Sequence, residues 1–338
     1  MMKRYNYWIG ILVSTILIIF FFRKIDWIDT WNLVKNVRIE FILVIIILQF
    51  ISIWVRAKRW GYLLLHIKKI GLRRLFTSLT IGFMANNLLP TRLGELVRAY
   101  LLGSREQISK IASLATIVVE RLFDGFIILI LFFFSILFTY FPEKTSQQIA
   151  SKGTIQILGF IVFSFYIAVI ILLLFYRYSN KGMSIGCHKF LSLLPKNSEA
   201  YVLNKLNSFV QGFEVLKRNR DLLIVFFYSC VIWFLSPLSI YLLYLAFNIK
   251  LSFISAFFLS AVIVLGVSIP SAPGYLGTFH WACAVGLMIL GVETTLAKGF
   301  AMLLWVINFV PVTAAGLFFL WREGLTLKGL QKTEIESH

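Results

Sequence analysis

The chain has 338 residues, of which 59% are hydrophobic and only 14% are charged, and its formal net charge is +18. A soluble domain carries about 25% charged residues, so the composition excludes a water-soluble fold and leaves lipid as the solvent for much of the surface. The apolar stretches are continuous rather than alternating. Because backbone polar groups in lipid must be paired internally, this pattern predicts an all-α polytopic membrane protein.

Six apolar segments are predicted to be full spans. Four of them exceed the roughly 20 residues that cross a bilayer as a helix, and the first two are a little shorter but can extend into their flanks. The first follows Lys3 and Arg4 and has no small-residue cleavage site after it, which indicates a retained span rather than a signal peptide. In chain order the six are residues 7–22, 41–55, 111–140, 154–176, 222–247 and 296–320.

Two further pairs of apolar segments are short, and each pair is interrupted by proline. Because proline and glycine break a helix, we predict that each pair forms a re-entrant broken-helix hairpin. The alternative is eight or more full spans. The first pair is residues 75–89 and 93–102 around Pro90, and the second is residues 253–269 and 276–290 around the run 270–274.

Basic residues orient the chain. Residues 56–74 hold seven Lys and Arg and no acid, and residues 177–221 hold eight against three acids. The positive-inside rule places both regions, and both termini, on the cytoplasmic side of the cell membrane. Apolar residues recur at helical spacing between Val202 and Leu216, which predicts an amphipathic helix on the membrane surface or, alternatively, one packed on the bundle.

Both hairpins carry the pattern Pro-x-x-Leu-Gly, at residues 90–94 and at residues 273–277. Corresponding breaks in opposed hairpins are typical of an inverted repeat within a single domain spanning residues 1–338. We predict repeats at about 41–140 and 222–320, joined by a cytoplasmic connection at about 177–221. The residues predicted to form the breaks are Pro90, Gly94, Pro270, Pro273, Gly274 and Gly277.

Polar and ionisable residues accompany both breaks. An ionisable residue at the centre of a membrane helix costs about 2.5–3.5 kcal/mol and usually marks a substrate path. The candidate substrate-binding residues are Asn86, Asn87, Arg92, Glu95 and Arg98 at the first break, Glu120, Arg121 and Asp124 in the next span, and Ser271, Thr278 and His280 at the second break.

Each group also has a structural interpretation. Arg92 and Arg98 have the chemistry to hold a phosphate, but they can instead snorkel to the interface. The Glu120 and Asp124 pair can tie its span to the first hairpin through one of these arginines. His280, beside two aromatic residues, can be a packing residue. No cofactor and no metal are expected, because no metal-ligand spacing occurs.

Three motifs resemble those of the lysylphosphatidylglycerol synthase transmembrane family. They are Asn86-Asn-Leu-Leu-Pro-x-Arg-x-Gly-Glu-x-x-Arg98, Glu120-Arg-x-x-Asp-Gly125 and Pro270-Ser-x-Pro-Gly-x-x-Gly-Thr-Phe279. The resemblance implies a flippase-like domain that moves phospholipids, some of them aminoacylated, between leaflets. One departure is His280, where many members carry Glu. The last predicted span ends at Leu320, so the soluble synthase domain of larger members is expected to be absent.

We therefore expect a non-enzymatic lipid translocase for a phosphate-bearing lipid, possible classes being aminoacylated and polyprenyl-linked ones. Its partners would be membrane lipids and a separate lipid-modifying enzyme, not nucleic acid. Arg92 and Arg98 would hold the phosphate, and the glycines of the breaks would let the backbone approach the ligand. The alternatives are a small-anion transporter, a membrane-embedded transferase that acts on a lipid carrier, and a non-transporting scaffold.

Overall fold

The computed structural model describes residues 27–89, 93–142, 219–269 and 271–325, with isolated helical positions between 15 and 21 and between 153 and 164. Most of the predicted spans 7–22 and 154–176, all of the predicted helix between the repeats, and Pro90, Arg92 and Pro270 lie outside these ranges. The described helices are α1 (Trp27–Lys35), α2 (Ile39–Leu64), α3 (Leu72–Leu88), α4 (Gly94–Glu106), α5 (Lys110–Phe138), α6 (Asn219–Ala246), α7 (Phe253–Ser268), α8 (Thr278–Ile289) and α9 (Thr294–Arg322).

Four of the described helices, α2, α5, α6 and α9, are long and apolar enough to cross a bilayer. The prediction of an all-α membrane protein is confirmed. Helix α2 extends beyond the predicted apolar segment 41–55 by nine residues at its C-terminal end, so the first part of the basic stretch that we assigned to a cytoplasmic loop is helical. No proline interrupts that stretch. Helix α2 ends at Leu64, and the next helix begins at Leu72 after its N-cap residue Gly71.

Side-chain caps mark where three of these helices begin. Ser109 accepts a hydrogen bond from the amide of Ala112 at the start of α5, and Ser252 accepts one from Ser255 at the start of α7. Glu293 accepts bonds from two amides at the start of α9. A cap satisfies amide groups that have no partner inside the helix. Pro237 lies inside α6 and Pro311 lies inside α9.

The two short helix pairs fold back on themselves as hairpins. A methyl group on Gly82 of α3 would lie 2.9 Å from the carbonyl oxygen of Gly94 at the start of α4. A methyl group on Gly266 of α7 would lie 2.3 Å from the Cβ of Ala282 of α8. Each helix therefore runs beside its partner, and the tip of each hairpin is the predicted break.

The two hairpin tips meet at the middle of α9. Asn87 at the first tip donates to Thr313 Oγ1 at 2.8 Å, and Trp305 Nε1 donates to the carbonyl oxygen of Gly274 at the second tip at 2.8 Å. A methyl group on Gly274 would also lie 3.3 Å from the carbonyl oxygen of Asn87. Both tips therefore lie beside the centre of α9, a helix that is long and apolar enough to cross a bilayer.

The hairpins reach that centre from opposite ends of α9. Near the open end of the first hairpin, Arg105 of α4 pairs with Glu323 at the C-terminal end of α9, at 3.0 Å. At the open end of the second hairpin, Met288 of α8 accepts a hydrogen bond from Thr294 at the N-terminal end of α9. This arrangement of opposed hairpins is the predicted one.

The neighbours of the helices follow the same inverted pattern. We can match α2, α3, α4 and α5, in that order, with α6, α7, α8 and α9. Each pair of these helices that packs together then corresponds to a second pair that also packs together, and the pair of α2 and α6 corresponds to itself. The first hairpin packs on α9 through α3, and the second packs on α5 through α7. Helices α2 and α6, which correspond to one another, pack extensively on each other. An inverted repeat produces this pairing.

Candidate functional site

Two arginines and two carboxylates are buried together between α2, α4 and α5. Arg59, Arg98, Glu120 and Asp124 each have no more than 3% of their surface exposed. Arg56 and Arg121 lie at the edge of this group, which we call the buried charge network. Charges removed from water are stable only when they are paired and hydrogen-bonded, and each of the four has such a partner.

Asp124 is the most connected acid of the network. Arg59 donates two hydrogen bonds to it, from Nη1 to Oδ1 and from Nη2 to Oδ2, the latter at 3.1 Å. Trp233 Nε1 of α6 donates to Oδ1 at 2.9 Å. Ser229, one turn away on α6, accepts a bond from Arg59 at 2.6 Å. The network thus joins α2 and α5 of the first repeat to α6 of the second.

Glu120 connects the network to the first hairpin. Arg98 of α4 donates from Nη2 to Glu120 Oε2, and Arg59 Nε lies 3.9 Å from Glu120 Oε1. The Arg98 guanidinium also lies over the ring of Trp60, 5.0 Å from its centroid. We expected Arg98 to hold a phosphate or to snorkel. The structure instead gives it a buried ion pair, which is the structural interpretation considered for Glu120.

Arg56 and Arg121 share one carboxylate oxygen. Their Nη1 atoms lie 3.8 Å and 3.7 Å from Asp124 Oδ2. Arg121 also pairs with Glu95 of α4, at 3.2 Å from its Nε. The Arg121 side chain keeps 43% exposure and Arg56 keeps 17%, whereas the arginines behind them are buried. The guanidinium groups of Arg56 and Arg121 are therefore the part of the buried charge network that borders open space.

That space is a cavity of about 340 Å³ at the level of the hairpin tips, which we call the central cavity. It is bounded by side chains from α2, α3 and α5 of the first repeat and from α6, α7, α8 and α9 of the second. Arg56, Arg121 and Asn87 line it. Ligand sites commonly measure about 300–1,000 Å³, so a small head group fits.

Amides and hydroxyls complete the polar lining. Gln49 donates to the carbonyl oxygen and the side chain of Asn308, at 2.9 Å and 3.3 Å, while the buried Gln49 Oε1 has no hydrogen-bond partner among the described residues. Ser236 and Ser260 lie 3.2 Å apart across α6 and α7. Neutral groups of this kind orient a polar ligand without adding charge.

The other predicted residues at the first break hold the tip together. Asn86 Oδ1 accepts a hydrogen bond from the amide of Gly94 at 2.8 Å, which satisfies the start of α4. A methyl group on Gly94 would lie 1.9 Å from the carbonyl oxygen of Gly82. We expected the glycines of the breaks to let the backbone approach a ligand. The space beside Gly94 and Gly274 is instead filled by neighbouring protein atoms, because the chain segments pack so closely there.

The predicted residues of the second break do not line the central cavity. Thr278 donates to the carbonyl oxygen of Tyr275 at 3.2 Å. His280 is 5% exposed and lies among aromatic rings, 5.2 Å from Phe21 and 5.3 Å from Trp305 by centroids. Ser271 lies next to the second tip. His280 thus packs among aromatic residues, which is the structural role that we considered for it as the alternative to ligand binding.

Sequence reasoning missed Arg56 and Arg59, because it counted them among the basic residues of a cytoplasmic loop. Their three-residue spacing, followed by Trp60, places all three on a continuing helix. Within the described ranges, no three His, Cys, Asp or Glu side chains are grouped as a metal site requires.

The fold and site define a polytopic α-helical membrane protein with two opposed hairpins around a cationic cavity. The chain belongs to the family described as the lysylphosphatidylglycerol synthase TM region, whose model matches residues 7–316. The resemblance based on the motifs is therefore confirmed.

Relatives are found among archaeal membrane proteins. A UPF0104 membrane protein of Methanothermobacter thermautotrophicus is 26% identical, with 82% of this chain and 83% of the relative aligned. Another from Pyrococcus horikoshii is 26% identical, with 94% of this chain and 97% of the relative aligned. One from Methanocaldococcus jannaschii is 25% identical, with 83% of this chain and 84% of the relative aligned. These proteins are similar to this chain over most of their length.

Proposed function

We propose that the protein moves a phosphate-bearing lipid between the leaflets of the cell membrane, with the head group passing through the central cavity. One observation carries the proposal. Two arginines, Arg56 and Arg121, line a cavity that is also lined by Asn87 of the first hairpin tip and bordered by helices of both hairpins. A guanidinium binds phosphate with two parallel hydrogen bonds, and two guanidiniums that converge on one oxygen can share a phosphate group.

The position of the cavity supports transport more than a structural role. Broken helices are tolerated in a membrane only where the irregular backbone is buried in protein or lines a polar cavity. Here helices of two broken hairpins of opposite orientation border such a cavity, as in transporters built from inverted repeats. Asn87 lines the cavity and also holds the first tip to α9 through Thr313. A head group bound there would contact both repeats.

The roles of the candidate residues follow from their positions. Arg56 and Arg121 would bind the phosphate, and Glu95 would balance the charge of Arg121. Arg59, Arg98, Glu120 and Asp124 would hold the two binding arginines in place. The reaction needs no covalent chemistry, so we propose a non-enzymatic carrier. We also propose that both termini are cytoplasmic, since the basic stretches remain the best guide to orientation.

Lipid co-purification tests this proposal. Wild-type protein and the Arg121→Gln variant would be extracted gently, and their bound lipids compared with the bulk membrane by mass spectrometry. We expect an anionic phospholipid enriched in wild type and reduced in the variant. Arg105→Gln is the matched control, because Arg105 pairs with Glu323 at the surface away from the cavity. Bulk lipid composition in all three samples would contradict the proposal.

A small soluble anion is the second candidate ligand, since the same two arginines would bind it. Vesicles containing the protein would be given radiolabelled glycerol 3-phosphate outside and, separately, a fluorescent phosphatidylglycerol in the bilayer. Movement of the lipid without uptake of the soluble phosphate is the expected result. Uptake of glycerol 3-phosphate alone would assign the cavity to soluble anions.

A further inference from the structure

We infer that Arg56 is the cavity arginine that receives the head-group phosphate, and that Trp233 is a positioning residue that keeps the Arg56 donors free for it. This inference rests on the proposed function, in which Arg56 and Arg121 bind phosphate alike, and it gives the two arginines different roles. It follows from the contacts that Arg56, Arg121 and Asp124 make.

Arg56 lies at the cavity wall with its guanidinium donors available. Its side chain is 17% exposed, and Asp124 Oδ2 lies 3.8 Å from its Nη1. That distance exceeds the roughly 2.7–3.2 Å of a hydrogen bond between nitrogen and oxygen. Within the part of the chain that the structure describes, no group accepts a hydrogen bond from Arg56. An anion that enters the cavity can therefore take up several of these donors at once, two of them in parallel.

Two aromatic rings flank the Arg56 guanidinium at this wall. Its central carbon lies 5.9 Å from the ring centroid of Phe83 and 6.0 Å from that of Trp233, and both residues line the cavity. A cation within about 6 Å of an aromatic ring is attracted to it without using its N–H donors in hydrogen bonds. The rings therefore help to hold the guanidinium in place and leave its hydrogen-bonding capacity to a ligand.

Arg121 is already engaged by a carboxylate at hydrogen-bond distance. Its Nε lies 3.2 Å from Glu95 Oε1 of α4, and its Nη1 lies 3.7 Å from Asp124 Oδ2. A phosphate that binds Arg121 must compete with the Glu95 carboxylate. A phosphate that binds Arg56 displaces no hydrogen bond to a described residue. Arg56 should therefore contribute more to the affinity for a phosphate than Arg121 does.

Trp233 of α6 helps to hold the one carboxylate that lies near Arg56. Its Nε1 donates to Asp124 Oδ1 at 2.9 Å, and the residue is 8% exposed. Arg59, which also donates to Asp124, comes from α2, the same helix as Arg56. Without the bond from α6, Asp124 would be drawn towards α2 alone. A shift of less than about 1 Å would then bring Oδ2 within hydrogen-bond distance of Arg56 and occupy its donors.

The first measurement is binding of two soluble probes to the full-length protein in amphipol. The probes are dihexanoylphosphatidylglycerol, which carries a lipid head group, and glycerol 3-phosphate, and isothermal titration gives their dissociation constants. Trp233→Phe keeps a ring beside Arg56 but removes the indole N–H. We expect it to raise the dissociation constant of the lipid probe about fivefold. Trp60→Phe is the matched control, because the buried Trp60 indole donates to Thr116 at 3.0 Å and does not line the cavity.

Arg56→Lys tests the ligand-binding end of the same chain of contacts, and it serves if Trp233→Phe does not fold. Lysine preserves the charge but loses the planar fork of donors, so the affinity should fall at least about tenfold. The chain has nine tryptophans, which would also be labelled as 5-fluorotryptophan. The fluorine resonance missing from Trp233→Phe should shift when the lipid probe is added, because that ring lies beside Arg56. The resonance missing from Trp60→Phe should not shift.

Transport provides a readout that a purely structural change would not produce. The protein would be placed in phosphatidylcholine vesicles with increasing fractions of acyl-labelled fluorescent phosphatidylglycerol, and dithionite quenching would report the rate of movement. Trp233→Phe should raise the lipid fraction that gives half the maximal rate and leave the maximal rate unchanged, since it weakens binding alone. A loss of folded protein would lower the maximal rate instead.

The outcomes separate the inference from the function on which it rests. An affinity unchanged in Arg56→Lys, or lowered equally in Trp60→Phe and Trp233→Phe, would overturn the inference and leave lipid translocation intact. Weaker binding in Arg56→Lys and Trp233→Phe, without lipid movement above empty vesicles, would uphold the inference and overturn translocation. Binding of glycerol 3-phosphate alone, weakened in the same two variants, would uphold both roles and assign the site to a soluble anion.

Discussion

Arg59 and Asp124 face each other across α2 and α5 in a two-pronged ion pair whose side chains are 0% and 4% exposed. The pair lies deep in a membrane protein, where either partner alone would be an unpaired charge. The pair also helps to position the two arginines of the central cavity, Arg56 and Arg121, because both lie near the same Asp124 carboxylate. Four predictions follow from the contacts described above.

Removing one partner of this pair should destabilise the protein strongly. Breaking a buried ion pair on one side costs about 3–5 kcal/mol, because the remaining charge stays buried. We expect Asp124→Ala to lower the free energy of unfolding by that amount. The measurement is thermal or denaturant unfolding in detergent.

The double variant Arg59→Met with Asp124→Leu provides the contrast. Replacing both charges with apolar groups leaves no unpaired charge, so it should be less destabilising than Asp124→Ala alone. Ser229→Ala serves as the control, since loss of one hydrogen bond to Arg59 should cost about 1 kcal/mol. Equal losses in all three variants would contradict the central role of the pair.

Gly94→Ala should prevent the first hairpin from closing. The added methyl would lie 1.9 Å from the carbonyl oxygen of Gly82 and 2.7 Å from Asn86, so the backbone must move. Overpacking of this kind costs about 1–3 kcal/mol or more. Gly71→Ala is the matched control, because nothing lies within 4 Å of its added methyl. Unfolding temperatures that drop equally in both variants would argue against the close approach of α3 and α4.

Trp305→Phe should loosen the second hairpin tip. The indole Nε1 donates to the carbonyl oxygen of Gly274, whereas the ring stacks on Phe309 at 4.5 Å, and phenylalanine preserves only the stacking. A carbonyl left without its partner costs about 1–3 kcal/mol. Trp321→Phe is the control, since Trp321 is 77% exposed. The free energy of unfolding in detergent should fall for Trp305→Phe and stay unchanged for Trp321→Phe.

Glu293 should make the start of α9 sensitive to acid. Burial raises the pKa of its carboxyl, but hydrogen bonds from the amides of Thr295 and Leu296 outweigh burial and hold the pKa below its usual range. A carboxyl whose pKa is lowered by folding stabilises the protein above its ordinary pKa of about 4.3. That stabilisation disappears as the pH falls through the lowered value.

Glu293→Ala should cost about 1 kcal/mol at pH 7 through loss of the cap. The loss should shrink below pH 4, where the wild-type carboxyl also becomes protonated. Glu40→Gln is the control, because it removes a first-turn carboxylate from α2, a helix that no side chain caps. Unfolding would be followed over a pH series for all three proteins, and a cost of Glu293→Ala that did not change with pH would contradict the assignment.

The sequence predicted the hairpins because each pair of short apolar segments is interrupted by proline together with glycine, so Pro273 and Gly94 mark the turns without knowledge of the fold. The link between α5 and the first hairpin was one of two interpretations of Glu120 and Asp124, because charges buried away from water need a partner of opposite sign. The sequence did not predict the pairing of Arg59 with Asp124. The positive-inside rule counts basic residues near a membrane, and it cannot distinguish an arginine that faces a phospholipid surface from one buried between helices.

The central cavity was predicted only in outline. Two breaks meeting in the membrane imply a polar space, and the structure contains one. Its walls, however, come from single residues of distant helices, such as Gln49 of α2, Ser236 of α6 and Asn308 of α9. An isolated serine or amide in an apolar helix has no pattern of its own. Only the packing of α2 on α6 and of the hairpins on α9 brings these residues together.

Pro311 has a consequence for how the two halves of the molecule can shift against each other. It lies in α9 between Phe309, which contacts the second hairpin tip, and Thr313, which holds the first. A proline at this position cannot donate to the carbonyl oxygen of Ile307, so α9 lacks one rung of its hydrogen-bond ladder there. The helix is therefore easiest to bend at that point. Trp305 holds the second tip before Pro311 and Thr313 holds the first tip after it, while Asn87 also reaches the carbonyl oxygen of Phe309 at 3.5 Å. A bend at Pro311 would therefore change how the two tips lie against each other.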